Sequence, residues 1–386
     1  MKNKIEYILK HNLIIQKIYR FLLSAFFRFI GLFVKIDNNL ILFNSFGGRK
    51  YNDSPKVIFE HMINNPMCKN MHFIWAFEHP DKFKIPATKV KIDTWKYFII
   101  ALKAKYWVSS VNIERGLKFK KRETIYLNTW HGAGTKKIGN AVSKRKDFDY
   151  SNVDYMLIQS NYEKGIFRDD FLVKEESFLL SGFPRGDELF NTTKEQIKHY
   201  KQKLAIPNNK KVILYAPTWR DSKNMGISYD LRPPINIKKW QNKLQDEYVV
   251  LFRTHAFTTN VLNLTFNDFV RDVSTYNNLN HLILIADLLI TDYSTIVFDF
   301  SILEKPFLCF GYDYEEYNKE RGFYINLENE YPHGVLKNED ELLEQISSLN
   351  YDDEQSNVRK FKAKYIEAGG NSTELAVNAL LKHKIN

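Results

Sequence analysis

Two successive series of short apolar runs, each alternating with helical stretches, constrain this chain more than any other feature. Leu40–Ser45, Met71–Phe77, Tyr106–Ser109, Ile125–Asn128, Tyr155–Gln159 and Ser177–Leu180 read as buried strands, with helices expected over 55–64, 94–104 and 161–167. Lys211–Ala216, Tyr248–Arg253, Leu288–Thr291 and Phe307–Phe310 repeat the pattern, with helices over 235–244, 276–286 and 295–303. Strands in such runs are apolar on both faces, which implies a parallel sheet covered by helices. A polar stretch at 187–210 separates the series, and 386 residues suit two domains. The expectation is an α/β fold of two doubly wound, Rossmann-like domains facing across a cleft. The first occupies 37–187 and the second 188–365, with an N-terminal segment 1–36 and a C-terminal helix 366–386.

The N-terminal segment reads as one long helix over 5–36. Lys10, Lys17, Arg20, Ser24, Arg28 and Lys35 follow at helical spacings and form a narrow basic stripe on an otherwise apolar cylinder. Arg28 interrupts the run from Phe21 to Val34, which argues against a spanning helix. With a net charge of +11, the chain suits anionic company. The segment is expected to lie in the headgroup plane with Lys and Arg facing anionic lipid. The alternative is a helix packed on its own domain with the stripe solvated. Cys68 and Cys309 are too few for a disulfide framework or a Cys-rich metal site, and a reducing cytoplasm is the simple inference. No cleavable signal peptide is apparent.

Ligands of doubly wound sheets sit beyond the carboxyl ends of the strands. After Ile125–Asn128 comes Thr129-Trp130-His131-Gly132-Ala133-Gly134-Thr135-Lys136-Lys137, in which glycines let backbone amides approach a phosphate and an imidazole can take a proton. Gly182-Phe183-Pro184-Arg185-Gly186-Asp187 and Pro217-Thr218-Trp219-Arg220-Asp221 follow two further strands, and each reads equally well as a plain turn. Arg253-Thr254-His255 places a guanidinium and an imidazole together, a sensible grip on a diphosphate. Asp292-Tyr293-Ser294-Thr295 opens a helix whose free N–H groups suit an anion, with Asp299 near enough to reach a ribose hydroxyl; a buried cap network is the rival reading. Asp147-Phe148-Asp149 fits an Asp-x-Asp metal pattern but follows no strand, so a solvated loop is expected. No zinc spacing and no nucleic-acid-binding signature is present.

Together these motifs, with Lys305-Pro306, Tyr312-Asp313 and Arg321-Gly322-Phe323, resemble the CDP-glycerol glycerophosphotransferases of teichoic-acid and related cell-wall or capsule synthesis, over residues 38–370. The resemblance implies a glycosyltransferase-B-like fold and peripheral attachment to the cytoplasmic face of the cell membrane. It further implies CDP-glycerol as donor and a lipid-linked acceptor of the undecaprenyl-diphosphate type; no cofactor and no metal-ligating residue is assigned, and the metal requirement stays open. Carried over motif by motif, Trp130, His131, Gly132, Ala133, Gly134, Arg185, Pro217, Thr218, Arg253, Thr254, His255, Ser294, Thr295 and Asp299 would form the site. His131 would be the general base, and His255 would contact the pyrophosphate. Ala133-Gly134 and Thr295 depart from the Thr-Pro and second Ser of many members. Rival readings are a CDP-ribitol or sugar-nucleotide transferase on the same fold, and a non-catalytic basic protein binding lipid or nucleic acid.

Overall fold

The computed structural model describes residues 13–132, 134–142, 145–218, 233–254 and 265–382. Seven strands build the first sheet: β1 (Asp37–Asn44), β2 (His72–Phe77), β3 (Thr88–Lys91), β4 (Ala104–Ser109), β5 (Ile125–Asn128), β6 (Tyr155–Ile158) and β7 (Phe178–Leu180). Five build the second: β8 (Lys211–Ala216), β9 (Tyr248–Phe252), β10 (Val270–Asp272), β11 (Leu288–Thr291) and β12 (Phe307–Cys309). The orders are β3-β2-β1-β4-β5-β6-β7 and β10-β9-β8-β11-β12, and the pairing is parallel throughout. Both sheets reverse direction next to their first strand, so each has a switch point, β1/β4 in one and β8/β11 in the other.

The central strands are apolar on both faces because helices cover both. Leu42 packs with Trp107 and Tyr126 on one side of the first sheet, while Ile41 and Phe43 pack with Ile58 and Phe59 on the other. The edge strands β3 and β10 were absent from the sequence reading. β3 alternates Lys89 and Lys91 with a single buried Val90, the charged signature that protects a sheet edge and blurs the strand signal.

The C-terminal helix Ser372–Leu381 returns to the first lobe. Its Ala376, Val377, Leu380 and Leu381 join the core that holds Ile41 and Phe43. Asp187 takes up its free amino end, accepting from Ser372 N at 2.9 Å, Thr373 N at 2.8 Å and Thr373 Oγ1 at 2.6 Å. A second strap joins the lobes. Lys137 N donates to Gly322 O at 3.0 Å, Tyr324 N to Thr135 O at 2.9 Å, and Arg321 Nε to Lys137 O at 3.0 Å. Arg321-Gly322-Phe323 therefore joins one lobe to the other.

The helix Leu13–Phe33 packs on the first lobe through Leu23, Phe27 and Ile30, with Val34 just beyond it, while Lys17, Arg28 and Lys35 are exposed. Ser24 is buried, its Oγ accepts from Lys118 N at 3.0 Å, and Arg28 Nε donates to Lys118 O at 2.7 Å. Phe27 is buried beside them and stacks on Phe98 at 4.4 Å. The outward face is apolar, with Phe21 71%, Leu32 78% and Phe33 76% exposed. Small Ser24 lets the helix approach the 116–121 loop, whose backbone groups need polar partners. Lys10 lies outside the described residues. No described helix is long and apolar enough to cross a membrane.

Candidate active site

β5 ends in Asn128, whose Oδ1 accepts from Trp130 N at 2.8 Å and helps hold Trp130 at a φ of +46°. The Trp130 ring is clamped edge-on by Phe171 at 4.6 Å and stacks on the His131 ring at 4.3 Å. On its other side His131 meets the Phe46 ring at 5.0 Å. Its Nδ1 lies 2.7 Å from the carbonyl oxygen of Ser110, just beyond β4. A carbonyl can only accept, so Nδ1 carries the proton and Nε2 keeps its lone pair. Burial holds the His131 pKa below the usual histidine value; the Ser110 hydrogen bond and Asp53 pull it back up, and Arg185 and Arg49 push it down further. The imidazole is neutral at pH 7, the form a base requires.

The turn after His131 presses on the second lobe. Gly132 has φ +125°, and a Cβ there would stand 2.8 Å from Thr295 Oγ1. Gly134 has φ +112°, and a Cβ would stand 2.7 Å from the Phe298 ring. Only glycine satisfies both demands. Tyr162 donates its hydroxyl to Gly134 O at 2.6 Å. Ala133 lies outside the described residues.

In the second lobe Asp292 ties the ends of β8 and β11 together, accepting from Thr218 N at 2.8 Å and Tyr293 N at 2.6 Å. Pro217 and Thr218 are buried beside it. Ser294 caps the helix Ile296–Ser301, its Oγ accepting from Ile296 N at 3.3 Å. Thr295 makes no such cap bond and its hydroxyl faces Gly132 instead. Arg253 is braced by Nη1 donating to Val273 O at 3.1 Å and Tyr276 O at 2.8 Å, and the amide of buried Thr254 donates to Ser274 Oγ at 3.0 Å. His255, Trp219, Arg220 and Asp221 lie outside the described residues.

Arg185 bridges the lobes. Its Nη2 lies 3.3 Å from Asp299 Oδ1 and its Nη1 3.6 Å from Asp53 Oδ1, while its guanidinium covers the Phe183 ring at 4.7 Å. Burial disfavours the charge, but Asp299 and Asp53 outweigh it and hold the guanidinium firmly ionised. Asp299 is thus engaged in an ion pair with Arg185. Glu163 stands close by, fully buried and pushed up to about 7 by that burial, with Gln159 donating two hydrogen bonds to it. Asp147 and Asp149 pair with Arg145 and Lys118, on the solvated surface as expected. Among the described residues no cluster of three metal-ligating side chains occurs.

Several neighbours escaped the sequence reading. Phe46, Arg49, Lys50 and Asp53 follow β1, at the switch point, and Ser110 follows β4. The signal for the first group was present: Phe46-Gly47-Gly48-Arg49-Lys50 is a glycine turn with two cations directly after an apolar run. A hollow of 590 Å3 lies elsewhere, lined by Arg28, Glu114, Lys118, Asp149 and Asp154, and contains none of the expected site residues.

With this geometry in place, comparison with known proteins gives a concordant result. Residues 26–382 match the family described as CDP-Glycerol:Poly(glycerophosphate) glycerophosphotransferase. A teichoic acid poly(glycerol phosphate) polymerase of Bacillus spizizenii is 31% identical over 98% of this chain and 100% of its own length. Another of that name from Staphylococcus epidermidis is 36% identical over 80% of this chain, which spans only 45% of that relative's length. The solved wall teichoic acid polymerase TagF superposes with a TM-score of 0.82 at 31% identity, covering 99% of this chain and 98% of its own. A histidine variant of it, soaked with CDPG, superposes with a TM-score of 0.79 at 30% identity, covering 96% of this chain and 99% of its own. A UDP-GlcNAc 2-epimerase of Neisseria meningitidis shares the fold alone, with a TM-score of 0.53 and 13% identity over 89% of this chain and 99% of its own.

Proposed function

Because this chain belongs to the CDP-glycerol:poly(glycerophosphate) glycerophosphotransferase family, we propose that it transfers glycerol phosphate from CDP-glycerol to a lipid-linked acceptor and releases CMP. The observation that carries this reading is His131 held through Nδ1 on Ser110 O at the point where the lobes touch. A hydroxyl is a poor nucleophile at neutral pH and needs a base within hydrogen-bond reach. Nε2 of His131 takes the proton of the acceptor hydroxyl as its oxygen bonds to the glycerol-bearing phosphorus. The bond from that phosphorus to the bridging oxygen breaks, and CMP leaves with the electron pair. Arg253, Ser294 and Thr295 stand in the second lobe where the donor diphosphate and the departing charge would lie. His255 is assigned to the same diphosphate, and Trp130 shapes the wall behind the base. The direct test incubates the protein and a lipid acceptor with CDP-glycerol, CDP-ribitol and UDP-sugars. CMP release with CDP-glycerol in strong preference is expected, and release only from a UDP-sugar would overturn the donor assignment.

The pH dependence has a definite sign. Burial lowers the His131 pKa, so the base form persists as pH falls through the ordinary histidine value of about 6.5. The acid limb of kcat/KM, which reports the free enzyme, should therefore have its midpoint below that value, and the limb should vanish in the residual rate of His131→Ala. A midpoint above it would exclude this imidazole as the base.

The membrane is met, in this reading, by the apolar outer face of the helix Leu13–Phe33 at the inner surface of the cell membrane. Phe21, Leu22, Phe29, Leu32 and Phe33 would enter the acyl boundary, with Lys17 and Lys35 exposed beside them for anionic headgroups. Each large apolar side chain transferred contributes about 1.5–3 kcal/mol. Joint replacement of Phe21, Leu32 and Phe33 by serine should lower partition onto anionic vesicles by more than about tenfold, measured by co-sedimentation. Unchanged binding would place the contact elsewhere.

A further inference from the structure

The loop after β1 carries two cations that the transfer chemistry described above leaves unused. Phe46–Gly48 is a tight turn with Gly47 at φ +64° and Gly48 at φ +87°. It is built rigidly. A Cβ on Gly48 would stand 2.9 Å from Glu78 N, Gly48 O accepts from Glu78 N at 2.9 Å, and Phe46 N donates to Ser110 Oγ at 3.1 Å. Ser45 Oγ donates to Asn52 O at 3.0 Å and closes the loop from the other side. The turn thus shares Ser110 with His131, and Phe46 lies against the His131 ring.

Out of this frame project Arg49 and Lys50, both exposed. Arg49 Nε donates to Phe46 O at 3.0 Å, and Lys50 Nζ stands 5.4 Å from the centre of the Phe46 ring. Among the described residues neither is in an ion pair. The nearby carboxylate, Asp53, is engaged by Arg185 and by Ser54 N. Arg49 and Lys50 thus stand side by side on the turn whose Phe46 lies against the His131 ring. Such a pair suits an anion.

The donor's own phosphates are assigned to the second lobe, and in a phosphoryl transfer the attacking and leaving oxygens lie roughly in line. The acceptor therefore approaches His131 from the first-lobe side, past Arg49 and Lys50. A poly(glycerol phosphate) acceptor carries its last phosphodiester one glycerol unit from the attacking hydroxyl. We propose that Arg49 and Lys50 form the subsite for that phosphodiester, so that this chain favours acceptors already ending in glycerol phosphate over acceptors ending in a neutral sugar. The inference rests on the transfer reading given above and extends it to acceptor choice.

The test uses the full chain with CDP-glycerol and two synthetic lipid acceptors that differ only in one terminal glycerol phosphate. Wild-type protein should favour the phosphorylated acceptor in kcat/KM. In the double variant Arg49→Gln, Lys50→Met, the KM for that acceptor should rise by about tenfold or more, the worth of one or two charge-assisted hydrogen bonds. The preference between the two acceptors should fall toward unity, and Lys50→Arg should keep most of it. Equal losses on both acceptors, or a KM for CDP-glycerol rising in step, would overturn the subsite. Absence of CMP release by the wild type with either acceptor would instead remove the transfer reading and the subsite with it.

Discussion

Replacement of His131 by alanine should lower kcat by about a thousandfold, within the range contributed by a positioned general base, while the affinity for CDP-glycerol stays within a small factor of wild type. The expectation follows from where the ring is held. Its Nδ1 is committed to Ser110 O, its ring lies against Trp130 and Phe46, and Nε2 is the nitrogen left to act. On the reading that the ring serves the proton transfer and not the grip on the donor, binding and turnover should separate. Equilibrium binding of CDP-glycerol beside steady-state CMP release checks both halves. A near-normal rate would remove the base assignment, and a parallel collapse of donor affinity would make His131 a binding residue. Glycine cannot be traded for alanine next to it. A methyl at Gly132 would collide with Thr295, so Gly132→Ala should also lose turnover by pushing the base off the second lobe.

The second large effect is on stability. Arg185→Met should destabilise the chain by about 3–5 kcal/mol, the usual result of removing one partner from a buried charge network. Asp53, in the left-handed region with φ +61°, approaches the guanidinium from the first lobe, and Asp299 approaches from the second. Without the arginine these carboxylates would stand unpaired in a largely buried seam close to the buried Glu163. Denaturant unfolding of the variant measures the loss. Asp299→Asn should restore part of it in the Arg185→Met background while costing stability in the wild type, a coupling that a mere packing defect would not produce. A lysine at 185 cannot span both carboxylates with one ammonium and should recover only a fraction.

Much of this was legible in the sequence, and the gaps have physical causes. Ten of the twelve described strands announce themselves, most plainly β1, β5, β8 and β11, whose apolar runs are buried. β3 and β10 lie at sheet edges, where solvent dilutes the pattern with Lys89, Lys91, Arg271 and Asp272. His131 was found because ligands gather at strand ends. Ser110 was missed because it acts through its backbone carbonyl, which no side-chain pattern can reveal. The Asp299–Arg185 pair joins residues 114 apart in the chain, which no local spacing could reveal. For the N-terminal helix, periodicity sorted residues onto faces correctly but could not tell which face had a neighbour. The presence of Ser24 within the basic stripe was the available clue to close packing.

The central claim concerns one proton. Histidine labelled with 15N, with His131→Gln used for assignment, reports the state of each ring nitrogen directly. At pH 7 His131 should show a protonated, hydrogen-bonded Nδ1 and an unprotonated Nε2, changing to the doubly protonated ring only below the ordinary histidine midpoint. A proton on Nε2 at pH 7, in either tautomer or cation, would contradict the assignment of this imidazole as the base.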